Sequence, residues 1–227
     1  MQKTRGGTAS EMTDGTSKAY LKEARAALRA SDPVMRRLVD ARPDLEPHGW
    51  QRTWRQELPA TTLFGSLLRQ IVGQQISVGA ASAILGRLSA LFGDEEPTPS
   101  QLLAIDPERL REVGLSRQKA SYVRSLAQHV ERGELELDRL AELSDDEVRK
   151  QLTAVKGIGH WSADMVLLMD LSRPDVLPSG DLGVRKAVYR AYELSTLPTP
   201  KEVDLLGEKW RPHRSLATSY LYASLQD

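Results

Sequence analysis

The stretch VKGIGHWSAD, residues 155–164, decides the fold. It sets Gly157 and Gly159 one residue apart between two apolar segments, the second of which runs over residues 161–171. Glycine permits backbone dihedral angles that other residues avoid, and it lets a foreign backbone come close. The pattern predicts two helices joined by a tight turn over residues 156–159.

The start of the second helix is a candidate anion site. Amides in the first turn of a helix have no intrahelical partner and lie at the positive end of the helix dipole. A nucleic-acid phosphate fits there without a large net protein charge, and Lys156, His160 and Ser162 can add donors. The alternative is an ordinary helix corner whose glycines serve only tight packing, and the Gly-x-Gly pattern alone favours that alternative.

The rest of the chain reads as helix. Apolar residues recur at helical spacing, and no alternating β-branched run of strand length occurs, so the predicted fold class is all-α. Helix caps are predicted at Asp32, Ser77, Ser116 and Ser144, whose side-chain oxygens can accept from first-turn amides. The polar GQQIS stretch at residues 73–77 interrupts an apolar pattern and predicts a loop that carries two glutamines.

Composition excludes several classes of function. Lys+Arg and Asp+Glu number 31 each, so a polyanionic partner would have to meet a local basic surface. Zero cysteines exclude disulfides, thiolate nucleophiles, thiolate zinc sites and cysteine-held iron–sulfur clusters. The histidines lack metal-ligand spacing, which speaks against a zinc hydrolase. They are His48, His129, His160 and His213.

The ends and the hydropathy of the chain predict its surroundings. Residues 1–15 are rich in Gly, Ser and Thr and poor in apolar side chains, which predicts a disordered tail before a folded part over residues 16–227. There is no signal-peptide apolar region and no run of about 18 apolar residues. These features predict a cytoplasmic protein with no membrane partner.

Separated blocks of the sequence follow one another in a characteristic order. These are LLRQIVGQQISVGAASAILGRL (67–88), LREVGLSRQKASYVRSLA (110–127), the glycine hairpin, SGDLGVRK (179–186) and KWRPHRSLATSYLY (209–222). Together they resemble the helix-hairpin-helix (HhH-GPD) DNA glycosylases, and among these the AlkA-type 3-methyladenine DNA glycosylase II. The chain is similar to the compact form that lacks an N-terminal α/β subdomain, and the resemblance covers about residues 63–222.

The resemblance implies an architecture and a partner. It implies two helical lobes with an active cleft between them, one lobe over about residues 63–175 and the other over 16–62 and 176–227. It implies a monomer that binds double-stranded DNA with alkylated bases, in the nucleoid of a prokaryote or the nucleus of a eukaryote. No cofactor is required by the resembling enzymes.

The activity that the resemblance implies is excision of alkylated bases, such as 3-methyladenine and 7-methylguanine, by base flipping and N-glycosidic hydrolysis. This step initiates base excision repair. Bifunctional relatives place a lysine where this chain has Trp161, and an indole cannot form a Schiff base with the sugar. The expected enzyme is therefore monofunctional.

The family's catalytic aspartate matches Asp181, in the SGDLGVRK block. Cleavage of the glycosidic bond develops positive charge on the sugar, which a fixed carboxylate stabilises. The same carboxylate can orient or deprotonate the attacking water. Asp181 also stands where a helix N-cap is predicted, and the two roles are compatible.

The resemblance implies a base pocket lined by Trp161, Met165 and Tyr222, with Trp54 as a further candidate. Trp161 and Met165 are spaced i, i+4 and so share one helix face. An electron-rich ring attracts a cationic base. The alternatives are core packing for Met165 and a buried structural tryptophan at position 54, and the family more often has a tyrosine at the Met165 position.

The remaining implied site residues contact DNA or an ion. The family's wedge, which fills the gap left by a flipped base, matches the GQQIS loop, with Gln75 at the intercalating position and Gln74 beside it; the alternative is a solvated surface loop. The backbone carbonyls of Thr153, Val155 and Ile158 are the implied ligands of a K⁺ or Na⁺ ion. The full set of implied DNA contacts is Gln74, Gln75, Ser77, Lys156, Gly157, Gly159, His160 and Ser162.

Basic residues near the C-terminus could form a local DNA-binding face. They are Arg185, Lys186, Arg190, Lys209, Arg211 and Arg214. The alternative for Arg214 is a buried structural arginine paired with a carboxylate, and solvated faces are the default for the others.

Two competing functions follow from the same residues. A non-catalytic helix-hairpin-helix DNA-binding protein needs the hairpin but has no use for Asp181 in an aromatic pocket. A glycosylase of the same fold that acts on a different lesion would need both the hairpin and Asp181.

Overall fold

The computed structural model describes residues 18–47 and 60–226. The predicted disordered tail at residues 1–15 and the pocket candidate Trp54 lie outside the described residues. The α-helices are α1 Lys18–Ser31, α2 Pro33–Ala41, α3 Leu63–Gly73, α4 Val78–Ala90, α5 Pro99–Ala104, α6 Pro107–Glu112, α7 Arg117–Glu131, α8 Asp145–Ala154, α9 His160–Met165, α10 Leu182–Ala191, α11 Pro200–Gly207 and α12 Arg214–Ala223. Short 3₁₀ segments span Leu137–Glu142 and Glu208–Trp210, and a π-helical segment spans Val166–Asp170. No strand occurs in the described part of the chain, so the all-α prediction is confirmed.

The predicted helix caps are present. Asp32 accepts hydrogen bonds from two first-turn amides of α2, and Ser77 and Ser116 each accept one at the starts of α4 and α7. Ser144 and Glu147 form a capping box at the start of α8. Each cap satisfies amides that would otherwise lack a partner, so these side chains fix where the helices begin.

The chain divides into two compact units. One unit draws on Met1–Trp50 and Leu167–Asp227, and the other on Gln51–Val166. The change at Leu167 falls inside the helical segment that follows the hairpin, whereas the sequence analysis placed the change of lobe near residue 175. The apolar run that continues through this segment gives no break from which its position could be seen.

The core of the first unit is formed by α1, α2, α10 and α12, which pack on one another in pairs. Trp210 and Tyr220 are its largest fully buried side chains. Apolar residues from both ends of the chain join them, among them Leu28, Met35 and Val188. The burial of these apolar faces holds the two distant chain segments together.

A buried carboxylate lies beside this core. Oδ2 of Asp32 accepts hydrogen bonds from the Tyr192 hydroxyl at 2.8 Å and from the indole nitrogen of Trp210 at 3.3 Å, and it lies 3.2 Å from Nζ of Lys209. Burial acts to raise the pKa of Asp32, but the hydrogen bonds from the Met35 amide and these three side chains lower it overall. The charged carboxylate of Asp32 therefore caps α2 and at the same time binds side chains beside the core.

In the second unit, α7 is the central helix. It packs against α3, α5 and α6, while α3 also packs on α4 and α9 packs on α8. Val123 and Leu126 of α7 are fully buried among the apolar side chains of this unit. The helices that flank the glycine hairpin and the glutamine loop thus belong to one compact unit.

We expect Asp32→Asn to lower the free energy of unfolding at pH 7 by about 2 kcal/mol, because the amide keeps the cap but loses the charge-assisted hydrogen bonds. A folded pKa below the unfolded value means that the carboxylate stabilises the protein above about pH 4 and that this contribution is lost as the pH falls through the folded pKa. Chemical denaturation of both proteins between pH 3 and pH 7 measures the difference. The exposed Asp204→Asn is the control, and a difference that does not shrink at low pH would contradict the assignment.

Candidate active site

The hairpin forms as the sequence predicts. α8 ends at Ala154 with Val155 as its C-cap, the Ile158 amide donates to the carbonyl of Val155 at 3.1 Å, and α9 begins at His160. Gly159 is the N-cap of α9 and supplies no side chain to its first-turn amides. These amides are therefore left for water or a ligand.

The two hairpin glycines serve different purposes. Gly157 has φ +94°, and a Cβ added there would overlap ring atoms of Tyr122 on α7. Gly159 has φ −100°, and a Cβ added there would meet nothing within 4 Å. Gly157 is required by the fold of the hairpin itself, whereas Gly159 leaves an open surface that a foreign backbone can approach.

This difference predicts unequal effects of the same substitution. Gly157→Ala should lower the free energy of unfolding by about 2 to 4 kcal/mol, because it adds a left-handed backbone penalty to a steric overlap. Gly159→Ala should cost less than about 1 kcal/mol, since alanine is only a weaker N-cap than glycine. Equilibrium denaturation of the two variants provides the comparison, and equal losses would refute the separate roles.

The predicted donors around the hairpin differ in accessibility. Lys156 and His160 are exposed, whereas Ser162 is only 4% exposed. Trp161 is 43% exposed and Met165 is 3% exposed, although both lie on α9. The burial of Met165 agrees with its alternative interpretation as a packing residue, while the Trp161 ring presents a large aromatic surface.

The helix that carries Trp161 changes its winding after Met165. The α-helical turns of α9 pass into the π-helical segment over Val166–Asp170. Insertions of this kind re-aim the side chains that follow and occur often at functional sites. The sequence predicts one continuous helix here, because a π turn keeps the apolar composition and has no residue signature of its own.

The glutamine loop joins α3 to α4. Gln75 is exposed and has φ +59°, an uncommon conformation for a residue other than glycine. Ser77 caps α4 by accepting from the Ala80 amide at 3.3 Å. Gln74 is half-buried, and its Nε2 donates to the carbonyl of Gly157 at 2.8 Å. The loop and the hairpin are thus hydrogen-bonded to each other.

Two residues at this junction carry roles that the sequence analysis did not assign. Nζ of Lys119 donates to the carbonyls of Val72 at 2.7 Å and Gln74 at 2.6 Å, and burial lowers the pKa of Lys119. Tyr122, one turn further along α7, lies against Gly157. Both belong to the LREVGLSRQKASYVRSLA block, but their contacts, with backbone carbonyls and with a glycine, leave no residue signature in the sequence.

In the other unit, Asp181 is the N-cap of α10. Its Oδ1 accepts from the Val184 amide at 3.0 Å, and its own amide donates to the carbonyl of Pro178 at 2.9 Å. Burial, the negative charge of Asp181 and a hydrogen bond to Asp181 together raise the pKa of Tyr222 well above its usual range. Asp181 and Tyr222, both predicted from the sequence, are therefore neighbours.

Gly183 allows this neighbourhood. A Cβ added to Gly183 would lie 2.7 Å from Cε1 of Tyr222 and 2.9 Å from Oδ1 of Asp181. The packing of α10 on α12 therefore needs a residue without a side chain at position 183, beside both the phenol and the carboxylate.

The connection that precedes Asp181 is held by the first turn of α12. The Arg214 guanidinium donates to the side chain of Asp175 at 2.7 Å and to its carbonyl oxygen at 2.7 Å. The Ser215 hydroxyl donates to the carbonyl of Arg173 at 2.6 Å and accepts from the Val176 amide at 2.9 Å. Arg214 is thus a structural arginine paired with a carboxylate, the alternative given above for this residue.

Other members of the predicted basic face also have partners. Arg211 pairs with Asp175 at 2.7 Å, Lys209 with Asp32 at 3.2 Å, and Arg185 donates to the carbonyl of Pro198 at 2.7 Å. Lys186 and Arg190 are exposed on α10. Much of the positive charge in this part of the sequence therefore serves structure.

The described ranges, residues 18–47 and 60–226, carry no candidate metal cluster and no candidate membrane span. There, no grouping of three or more His, Asp or Glu side chains could hold a metal ion. None of the helices in these ranges has the length and apolar character needed to cross a bilayer.

The chain is similar to known DNA repair proteins. The model of the HhH-GPD superfamily base excision DNA repair proteins matches residues 68–213. DNA-3-methyladenine glycosylase 1 of Schizosaccharomyces pombe is 33% identical over 161 residues, which cover 70% of this chain and 71% of that protein. The putative DNA-3-methyladenine glycosylase YfjP of Bacillus subtilis is 27% identical, and the match spans 73% of this chain but only 60% of the relative's length.

Solved structures are similar over most of the chain. The S. pombe 3-methyladenine DNA glycosylase in complex with abasic DNA has a TM-score of 0.77 and 28% identity, covering 90% of this chain and 97% of that one. A DNA-3-methyladenine glycosidase from Bacillus halodurans has a TM-score of 0.69 and 33% identity, covering 85% and 89%.

Proposed function

Because the chain belongs to the HhH-GPD superfamily of base excision DNA repair proteins, we propose that it is a monofunctional DNA glycosylase for alkylated bases. Its substrates are duplex DNA with lesions of the 3-methyladenine and 7-methylguanine type, and its reaction is hydrolysis of the N-glycosidic bond. The names of its relatives support this substrate class. Abasic DNA, which accompanies the S. pombe structure, is chemically what such a reaction leaves behind.

The observation that carries the proposal is the pairing of Asp181 with Tyr222. Asp181 is fixed by its own N-cap hydrogen bond and by its contact with the phenol, so its carboxylate is oriented before any substrate binds. A preoriented carboxylate stabilises the positive charge that develops on the sugar without reorganising during the reaction. It can also hold or deprotonate the attacking water.

An alkylated purine is a good leaving group because N-alkylation already gives it a positive charge. No second acidic group has to protonate the departing base, in contrast to glycosidases that use two carboxyl groups. The half-exposed ring of Trp161 supports selection by charge, since a cation over an indole face gains about 0.5 to 2 kcal/mol. Neutral lesions are then poorer substrates.

The hairpin is proposed to bind the DNA backbone at a phosphate. Support comes from the open surface at Gly159, the uncapped first turn of α9 and the exposed donors Lys156 and His160. We include a K⁺ or Na⁺ ion held by the carbonyls of Thr153, Val155 and Ile158. The carbonyl of Thr153 lies in the last turn of α8 and lacks an intrahelical partner, and that of Val155 accepts one hydrogen bond, from the Ile158 amide, and keeps a second lone pair. The ion would supply positive charge beside the phosphate.

The glutamine loop is proposed as the wedge that enters the duplex. Gln75 is exposed in this loop, as are Ile76 and Ser77, and its carboxamide can hydrogen-bond the base left without a partner. Extrusion of a base costs a few kcal/mol of stacking and pairing, which a wedge offsets. We propose that the protein works as a monomer wherever chromosomal DNA is held, in a nucleoid or a nucleus.

The central test is Asp181→Asn. Asparagine is as good an N-cap as aspartate, so the helix start is kept while the charge is lost. We expect release of 7-methylguanine from methylated duplex DNA to fall by about 10² to 10³ under single-turnover conditions. Binding to an abasic-site duplex should survive. Asp106→Asn is the matched control, because the Asp106 carboxylate also caps a helix, α6, and is exposed.

Each alternative function has its own outcome in that experiment. A non-catalytic DNA-binding protein would release no base in either form, yet its DNA binding would still weaken in Gly159→Ala. A glycosylase for a different lesion would also leave methylated DNA intact but would act on another member of a lesion panel, and Asp181→Asn would abolish that activity.

The monofunctional character has a separate test. Borohydride traps a covalent protein–DNA product only where an amine has formed a Schiff base with the sugar, and Trp161 cannot do so. We therefore expect base release without trapped product and without strand cleavage. Trapping at the rate of base release would refute the assignment.

A further inference from the structure

We propose that Lys119 is a positioning residue that holds the glutamine loop at a fixed place against the hairpin, so that extrusion of a paired base depends on it. The proposal rests on the function proposed above, because it concerns how the wedge is presented to DNA. Lys119 is not proposed to contact a reacting atom.

Lys119 binds the C-terminal end of α3. This helix ends at Gly73, and its last carbonyls have no N–H donor within the helix. Lys119 donates to the carbonyls of Val72 and Gln74, on either side of Gly73, at 2.7 and 2.6 Å. A cation at the C-terminal end of a helix is also favoured by the helix dipole. One ammonium group therefore ends α3 and fixes the first peptide of the loop.

Gln75, the next residue of the loop, has an uncommon backbone conformation. Gln75 adopts φ +59°, directly after the carbonyl that Lys119 binds. A left-handed conformation of a residue other than glycine is unfavourable and persists only where its surroundings enforce it. The two hydrogen bonds from Lys119 restrain the peptide before Gln75, and so they restrain the direction in which the Gln75 side chain leaves the loop.

The glutamine loop is also connected to the hairpin. Gln74 donates from its side chain to the carbonyl of Gly157, and Tyr122 packs against the same glycine. Lys119 and Tyr122 lie one turn apart on α7. The loop, the hairpin and α7 therefore form a closed junction, in which α7 contacts both of the other elements and these are hydrogen-bonded to each other.

The consequence is a fixed spacing between wedge and phosphate site. If the hairpin holds a backbone phosphate and Gln75 enters the base stack, both must reach the same duplex at once. A displacement of about 1 Å in a positioning element can cost about 10²-fold in rate. The junction removes that freedom before DNA binds.

The test compares lesions that differ only in the cost of extrusion. Lys119→Met keeps the length of the side chain and removes its donors. We expect single-turnover release of 7-methylguanine paired with cytosine to slow by about 10- to 100-fold. Release of the same lesion opposite an abasic-site analogue should slow by less than about threefold, because an unpaired base costs little to extrude. Arg117→Met, two residues earlier on the same helix and exposed, removes an equal charge and should leave both rates unchanged.

A second readout does not depend on activity. Amide hydrogen exchange of residues 73–77 should be faster in Lys119→Met than in the wild type, while exchange in α5 and α8 stays the same. Equal slowing on both lesions, or unchanged loop exchange in a folded variant, would overturn the proposal. Wild-type protein that releases no alkylated base would overturn the proposed function instead, and loop exchange would still decide whether Lys119 positions the loop.

Discussion

The backbone at Gly157 is the constraint on which the functional part of the second unit depends. Its φ of +94° turns the chain between α8 and α9, and the absent side chain lets the turn lie on the Tyr122 ring. That contact seats the hairpin on α7, the central helix of its unit. The amides at the start of α9, the exposed Trp161 ring and the hydrogen bond from Gln74 all take their places from this turn.

Asp181 combines a structural and a chemical task in one side chain. One carboxylate oxygen accepts the amide hydrogen bond that starts α10, and the carboxylate also contacts the phenol of Tyr222. Each bond orients the group before a substrate binds, and a preoriented carboxylate can stabilise a positively charged sugar. Arg214 and Ser215 hold the connection that precedes Asp181, through hydrogen bonds to Asp175 and Arg173. The cap and the catalytic interpretation of this residue are therefore parts of one arrangement.

Much of the fold was predictable from the sequence because helix caps and glycine turns have local signatures. Asp32, Ser116 and Ser144 each predict the start of a helix, because their side-chain oxygens can accept from first-turn amides. The role of Lys119 could not be found in this way, since its acceptors are backbone carbonyls 45 and 47 residues away in the chain. Backbone acceptors carry no residue identity, so contacts of this kind emerge only from tertiary structure. The π-helical winding after Met165 was missed for a similar reason, because it leaves the apolar pattern intact.

Gly183 shows how a residue without a functional group can be as restricted as the functional groups beside it. Any Cβ at this position would press on the Tyr222 ring and on the Asp181 carboxylate at 2.7 and 2.9 Å. Replacement by any other amino acid therefore disturbs both the packing of the helices and the candidate catalytic carboxylate. In a map of mutational tolerance, position 183 would appear intolerant although glycine brings no functional group to the site.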